Sequence, residues 1–111
     1  MTKVAIPVIN GKLNNHFGHT QEFYVFEITN NTINDPEILK PPEHEPGVYP
    51  KWLADMGVTD VIAGGMGHKA ISIFNHNKIN VFVGVPQKSP DELAEDFMNG
   101  TLETSDNVCD H

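Results

Sequence analysis

Asp60-Val61-Ile62-Ala63-Gly64-Gly65-Met66-Gly67 is the stretch that decides the fold, because it reads as a short buried strand running into a tight glycine turn. Helical spacing follows at once, with Ala70, Ile71 and Phe74 at the intervals of one helix face. A strand that turns directly into a helix is the repeating unit of an α/β chain. The stretch therefore predicts an α/β domain in which the turn lies at the carboxyl end of a strand.

The chain on either side repeats this alternation. A helix is predicted from Pro50, which suits a first turn, to Gly57, and a strand is predicted over 79–83. A last helix begins at Ser89-Pro90-Asp91-Glu92, where Ser89 can cap and Glu92 can complete a capping box. Asn99-Gly100 is predicted to end it.

The first forty residues predict strands only. Residues 3–9 are a β-prone run with Pro7 near its end, and 22–29 and 32–39 flank the turn signal Asn30-Asn31 as an antiparallel hairpin. Together with the two later strands, this gives a mixed sheet of five strands, three of them parallel. Right-handed crossovers place helices on both faces, so we expect three layers. We expect one domain over 1–102 and a flexible tail over 103–111.

Composition excludes several classes of protein. The chain has 111 residues, 15 acidic and 7 basic side chains and a formal net charge of -8, which opposes nucleic-acid binding. It has one cysteine and no run of about 20 apolar residues, so we expect a cytoplasmic protein with no membrane contact. We also expect a monomer or a weak dimer.

The topology predicts where a ligand would bind. Loops that follow parallel strands leave from one edge of the sheet, and ligands of open α/β sheets bind there. Residues 10–21, 64–68 and 84–89 are such loops. We therefore expect His16, the turn Gly64–Gly67 and Gln87-Lys88 to converge.

The glycine turn has two interpretations. Backbone N–H groups at the start of the following helix attract anions, and glycines allow a ligand to approach closely. Alternatively, Gly64, Gly65 and Gly67 serve only a tight turn with positive φ. Met66 could offer a thioether to a soft metal, or could simply pack in the core.

The histidine loop Asn14-Asn15-His16-Phe17-Gly18-His19 is equally open. His16 and His19 could bind metal or, when protonated, an anion, but a zinc site would need further ligands. Alternatively, Phe17 anchors the loop and the histidines are solvated. Cys109 and His111 have soft-ligand character, but a tail that must cross roughly 30 Å from the far edge would barely reach His16. No catalytic constellation is found, so we expect no enzyme.

Several stretches together resemble one known family, the dinitrogenase iron–molybdenum cofactor biosynthesis proteins, which include Nif-type cofactor carriers and the orange protein. The resemblance rests on Val4-Ala5-Ile6-Pro7, His16-Phe17-Gly18, Phe23-Tyr24-Val25-Phe26, Val61–Gly67 with Ala70, Ile79–Gly84, Phe97–Leu102 and Cys109-Asp110-His111. It implies a ribonuclease-H-like α/β/α fold and a non-catalytic carrier of an anionic molybdenum–iron or molybdenum–copper sulfur cluster. It also implies that proteins which donate and accept the cofactor are partners, and that the source organism is an anaerobe.

The resemblance also implies a site. The binding histidine of the family's first loop corresponds to His16, with Phe17 and Gly18 beside it, and this loop forms one wall of a cleft. The other wall of the cleft corresponds to Gly64, Gly65, Met66 and Gly67. His19, Cys109 and His111 carry over as further metal ligands. The alternative hypothesis is an interaction or regulatory module that binds a partner protein or a phosphate metabolite at the glycine turn.

Overall fold

A computed structural model describes residues 2–42 and 48–105. Its seven strands are β1 (Thr2–Ile9), β2 (Lys12–Leu13), β3 (Glu22–Thr29), β4 (Thr32–Ile33), β5 (Glu37–Leu39), β6 (Asp60–Ile62) and β7 (Asn80–Phe82). Its three helices are α1 (Val48–Asp55), α2 (His68–His76) and α3 (Pro90–Asn99). No helix in this part of the chain is long and apolar enough to cross a membrane.

The sheet is mixed and runs in the order β4-β3-β1-β6-β7, with β2 paired to β1 and β5 paired to β3. Strands β1, β6 and β7 are parallel, and β3 is antiparallel to β1. Three parallel strands and an antiparallel hairpin edge are therefore confirmed. The pairing of β1 with β6 extends only to Ala5, and Pro7 lies after it. The missing N–H of Pro7 therefore interrupts no hydrogen bond to β6.

The predicted count of five strands is wrong for two local reasons. The strand predicted over 32–39 is divided into β4 and β5, with Pro36, which has no N–H to donate, between them. The loop after β1 contains the additional strand β2, because Asn10 and Gly11 both adopt positive φ, at 54° and 79°. A two-residue hairpin turn requires that conformation.

The two faces of the sheet bury separate cores. Side chains alternate across the strands, so Ala5 and Phe23 face α1 and α2 while Val4, Ile6 and Phe26 face α3. The first core also contains Leu53 of α1 and Phe74 of α2, and the second contains Leu93 and Ala94 of α3. Helices on both faces confirm the three-layer arrangement.

Helix ends follow the chemistry of the sequence. Gly57 adopts φ +81° just after α1, and Gly100 caps α3 in the left-handed conformation. Ser89 caps α3 by accepting from the Glu92 N–H at 3.3 Å. The capping box takes a different form from the one expected, because the Ser89 hydroxyl donates to the Glu92 carboxylate at 3.1 Å.

Candidate functional site

The three loops at the carboxyl edge of the parallel strands are joined directly. The Leu13 N–H donates to the Lys88 carbonyl at 3.0 Å, and the Gln87 side chain returns a bond to the Leu13 carbonyl at 3.1 Å. The Gly84 N–H donates to the Gly64 carbonyl at 2.9 Å. The predicted convergence of residues distant in sequence is therefore confirmed.

The glycine turn (residues 64–67) contacts the histidine loop (residues 14–19) through Gly64 and Asn15. A Cβ built on Gly64 would lie 3.1 Å from the Asn15 Cα and closer still to the Asn15 side chain. Only glycine leaves room for this approach. The two walls expected from the sequence are thus in contact through Asn15, a residue that the sequence did not single out.

An Asx turn sets the conformation of the histidine loop. The buried Asn14 side chain accepts the His16 N–H through Oδ1 at 2.8 Å, and the Asn14 N–H donates to the Pro7 carbonyl at 2.9 Å. Asparagine is suited to this geometry because its side chain mimics a backbone turn. The His16 side chain is exposed at the head of a single 3₁₀ turn, Phe17–His19.

Phe17 anchors this turn in the core. Its side chain is 5% exposed, and its ring lies edge-on to Phe23, Tyr49 and Phe74 at centroid distances of 5.6–5.7 Å. Edge-to-face contacts of this kind add stability beyond area burial. Phe17 therefore fixes the position of His16 from below, and Gly18 is half-buried beside it.

The glycine turn is not a positive-φ turn. Gly64 does not adopt positive φ, and Gly67 lies at φ −64° and ψ 149°, so the interpretation that depended on left-handed glycines is wrong. Close approach to Asn15 accounts for Gly64 instead. Met66 is 1% exposed and packs in the core below α1 and α2, where its thioether is covered by protein.

The turn leads into the N-terminus of α2. The Ile71 N–H is the first to donate within the helix, to the Gly67 carbonyl at 3.1 Å, so the N–H groups before it have no intrahelical acceptor. His68 and Lys69 are exposed in this first turn, which contains no acidic residue. The start of α2 thus offers N–H donors, the positive end of the dipole and two groups that can be cationic.

The sequence analysis did not identify His68 as a candidate site residue. Its signal was its position directly after the glycine turn, at the first residue of the helix. Lys88, in contrast, is already paired within the protein, because its Nζ lies 3.1 Å from Asp96 Oδ2. The hydrogen bond to Asp96 raises the pKa of Lys88 above its ordinary value.

The other predicted ligands are His19, Cys109 and His111, and a further histidine, His76, serves for comparison. Cys109, His111 and the side chain of His19 lie outside the described residues. His76 is exposed in the last turn of α2, at the opposite edge of the sheet from His16. Over residues 2–42 and 48–105, no group of three or more His, Cys, Asp or Glu side chains could hold a metal ion.

The sequence matches one protein family over nearly its whole length. The sequence model of the family described as dinitrogenase iron–molybdenum cofactor matches residues 1–100. An uncharacterized protein of Methanocaldococcus jannaschii is 34% identical over 108 residues, which cover 93% of this chain and 91% of that protein.

Solved structures agree with the fold. The crystal structure of the protein PH0822 superimposes with a TM-score of 0.86 at 28% identity, covering 94% of this chain and 95% of its own. The apo orange protein of Desulfovibrio gigas superimposes with a TM-score of 0.75 at 20% identity, covering 96% of this chain and 95% of its own. Because the family model spans nearly the whole described domain, this chain belongs to the dinitrogenase iron–molybdenum cofactor family.

Proposed function

We propose that this protein is a small non-catalytic carrier or scaffold for an anionic metal–sulfur cluster of the molybdenum–iron or molybdenum–copper type. The observation that supports it best is that exposed His16 and the open N-terminus of α2 lie on one sheet edge, joined through Asn15 and Gly64. Membership in the dinitrogenase iron–molybdenum cofactor family supports this chemical class for the cargo.

The donors at this edge suit a preassembled anion. An imidazole can ligate a metal of the cluster through a neutral nitrogen, and helix N–H groups can donate to its sulfur or oxygen atoms. Lys69 adds positive charge in the first turn of α2, and His68 beside it adds an exposed imidazole. The net charge of -8 opposes an anion at long range, but salt screens exposed charges beyond about 8–10 Å, so local donors decide binding.

The proposed cargo places different demands on the site than a bare metal ion does. A divalent ion held by protein alone requires three or four side-chain ligands, whereas a cluster brings most of its own ligands with it. On this proposal, one imidazole and the N–H donors at the start of α2 hold the anion together. His19, Cys109 and His111 stay predictions as additional ligands, and the ribonuclease-H-like classification of the fold stays a prediction as well.

Titration of the apo-protein with tetrathiomolybdate and copper, followed by charge-transfer absorption, tests the proposal. We expect a spectrum that forms only with protein and that His16→Ala weakens or removes.

His76→Ala is the matched control, because His76 is also an exposed histidine but lies at the far end of α2. It should leave the spectrum unchanged. An absorption spectrum that protein does not alter, or that His16→Ala and His76→Ala alter equally, would falsify the cluster role.

A second function is favoured by the start of α2 alone. An uncapped helix N-terminus with His68 and Lys69 also suits the phosphate group of a metabolite, as in a regulatory module. Thermal-shift measurements separate the two hypotheses. Stabilisation by nucleotides and none by metal–sulfur anions would favour the regulatory module.

A carrier also requires partners. Proteins that donate and accept the cluster would approach the edge that holds His16, because the cargo is exchanged there. Pull-down of loaded and apo forms with His16→Ala as control would test whether partner binding depends on the cargo.

A further inference from the structure

The segment after α3 returns to the site edge within five residues. Gly100 turns the chain at φ +73°, and the Thr101 N–H donates to the Asp96 carbonyl at 2.8 Å. Leu102 packs against the core on the α3 face. Ser105 then donates its N–H to the Val83 carbonyl at 3.3 Å and its hydroxyl to the Gly84 carbonyl at 3.0 Å.

This return is shorter than the sequence suggested. A helix of ten residues spans about 15 Å, which five extended residues can cover in the opposite direction. The chain was expected to need nearly its whole tail for this crossing. Ser105 instead stands beside Gly84, and Gly84 is bonded to the glycine turn.

Gly84 is shaped to receive the segment. It adopts φ +68°, and a Cβ there would collide with the backbone of Ser105. Its own N–H donates to Gly64, whose missing side chain makes room for Asn15. A continuous line of contacts therefore runs from Ser105 through Gly84 and Gly64 to the histidine loop.

The segment also occupies a defined place in the sheet. The Phe82 carbonyl accepts from the Ala63 N–H, and the Gly84 N–H donates to the Gly64 carbonyl. Both of these bonds lie on the side of β7 that faces β6. Because backbone groups alternate in direction along a strand, the Val83 carbonyl points away from β6, and Ser105 binds it from that outer side. The segment thus lies where the next parallel strand after α3 would lie.

We propose that residues 101–105 form a strap that holds the loop after β7 against the glycine turn and returns the chain, at Ser105, to the edge of the sheet that carries the candidate site. Ser105 and Gly84 are then positioning residues for that site. The effect on cargo binding rests on the proposed function, whereas the docking of the strap does not.

Cys109 provides a direct test because it is the only cysteine of the chain. It lies outside the described residues, but only three residues separate it from Ser105, so the two Cα atoms are four steps and at most about 14 Å apart. A nitroxide attached to Cys109 should broaden the amide resonances of Gly64 and Gly84. It should leave those of Gly57 and Asn77, at the opposite edge, sharp.

Ser105→Pro removes the N–H and hydroxyl donors together and should abolish this broadening. Ser105→Ala removes only the hydroxyl and should reduce it, and Thr104→Ala, at the exposed neighbouring position, should have no effect. Equal broadening in the parent protein and in Ser105→Pro, or no broadening of Gly64 and Gly84 in the parent, would overturn the strap.

Cluster binding gives the second readout. We expect Ser105→Pro to weaken affinity for the thiomolybdate–copper cluster by about tenfold, the usual effect of losing a group that orients a ligand set. Gly84→Ala should do the same, whereas Gly57→Ala, with a similar positive φ but an open environment, should not. If the parent protein binds no cluster, the carrier role fails while the label experiment still decides the strap.

Discussion

The N-termini of α2 and α3 lie at the same edge of the sheet but differ in how their donors are used. At α3, Ser89 accepts the Glu92 N–H, and Asp91 and Glu92 place negative charge in the first turn. At α2, the cap is Gly67, which has no side chain, and the first turn contains His68 and Lys69 instead of acids. The dipole of α3 is therefore neutralised within the protein, and the dipole of α2 is available to a ligand.

The lysines at the two helix starts show the same division. Lys88, just before α3, pairs with Asp96 of that helix at 3.1 Å. Lys69, inside the first turn of α2, is exposed. Two helices with the same position in the topology thus serve different purposes, one stabilising the domain and the other presenting donors at the candidate site.

The largest expected effect comes from Gly64→Ala, which disturbs the α2 turn and leaves the start of α3 alone. The new Cβ would meet the Asn15 backbone, so we expect a loss of about 1–3 kcal/mol in the free energy of unfolding. Urea denaturation measures it. Asn15→Ala in the same chain should restore part of the loss, because it removes the side-chain share of the collision. Equal losses with and without Asn15→Ala would contradict this account of the contact.

A smaller effect is expected when α2 is given the charge that α3 already has. Gly67→Asp places a carboxylate at the cap of α2, where it would compete with an anion for the N–H groups. We expect affinity for the cluster to fall by about tenfold, equivalent to about 1.4 kcal/mol, in the thiomolybdate titration. Ser89→Ala is the control at α3, costing about 1 kcal/mol of stability without changing affinity. Unchanged affinity in Gly67→Asp would show that α2 does not hold the anion.

The smallest effect concerns the pair Lys88–Asp96. The pKa of Lys88 is raised above 10.5 in the folded protein, chiefly by the hydrogen bond to Asp96. Because the folded value is the higher one, the stabilisation is complete below pH 10.5 and is lost as the pH rises through the folded pKa. We expect Asp96→Asn to be slightly less stable than the parent at neutral pH and the difference to shrink above pH 10.5. A difference in unfolding free energy that stays constant with pH would contradict this.

The sequence predicted those features that depend on local chemistry. Helix limits were predicted to within two residues from Pro50, Ser89 and Gly100. This was possible because prolines and capping residues determine the backbone conformation of adjacent residues. The sequence predicted five strands where the described residues form seven, because strands of two or three residues depend on pairing more than on their own composition. The convergence of three loops could be predicted because parallel topology alone dictates it.

Details of the candidate site were harder to predict. Asn15 and Ser105 gave no signal in the sequence, because each matters through a contact with a glycine that is far away in the chain. One of the two interpretations of the turn gave its glycines a positive φ, since glycine most often serves that need, but Gly64 is required by the closeness of Asn15. His68 was overlooked because its importance depends on where α2 begins.

By itself, the sequence determined the α/β class, the parallel core of the sheet and the edge at which His16 and the glycine turn would meet. These follow from hydrophobic periodicity and turn chemistry, which act over a few residues. The tertiary structure alone decided that Phe17 is a buried anchor, that His16 is exposed above it and that Ser105 returns to Gly84. Those outcomes depend on which side chains fill the same space, and only the packing of distant segments settles that.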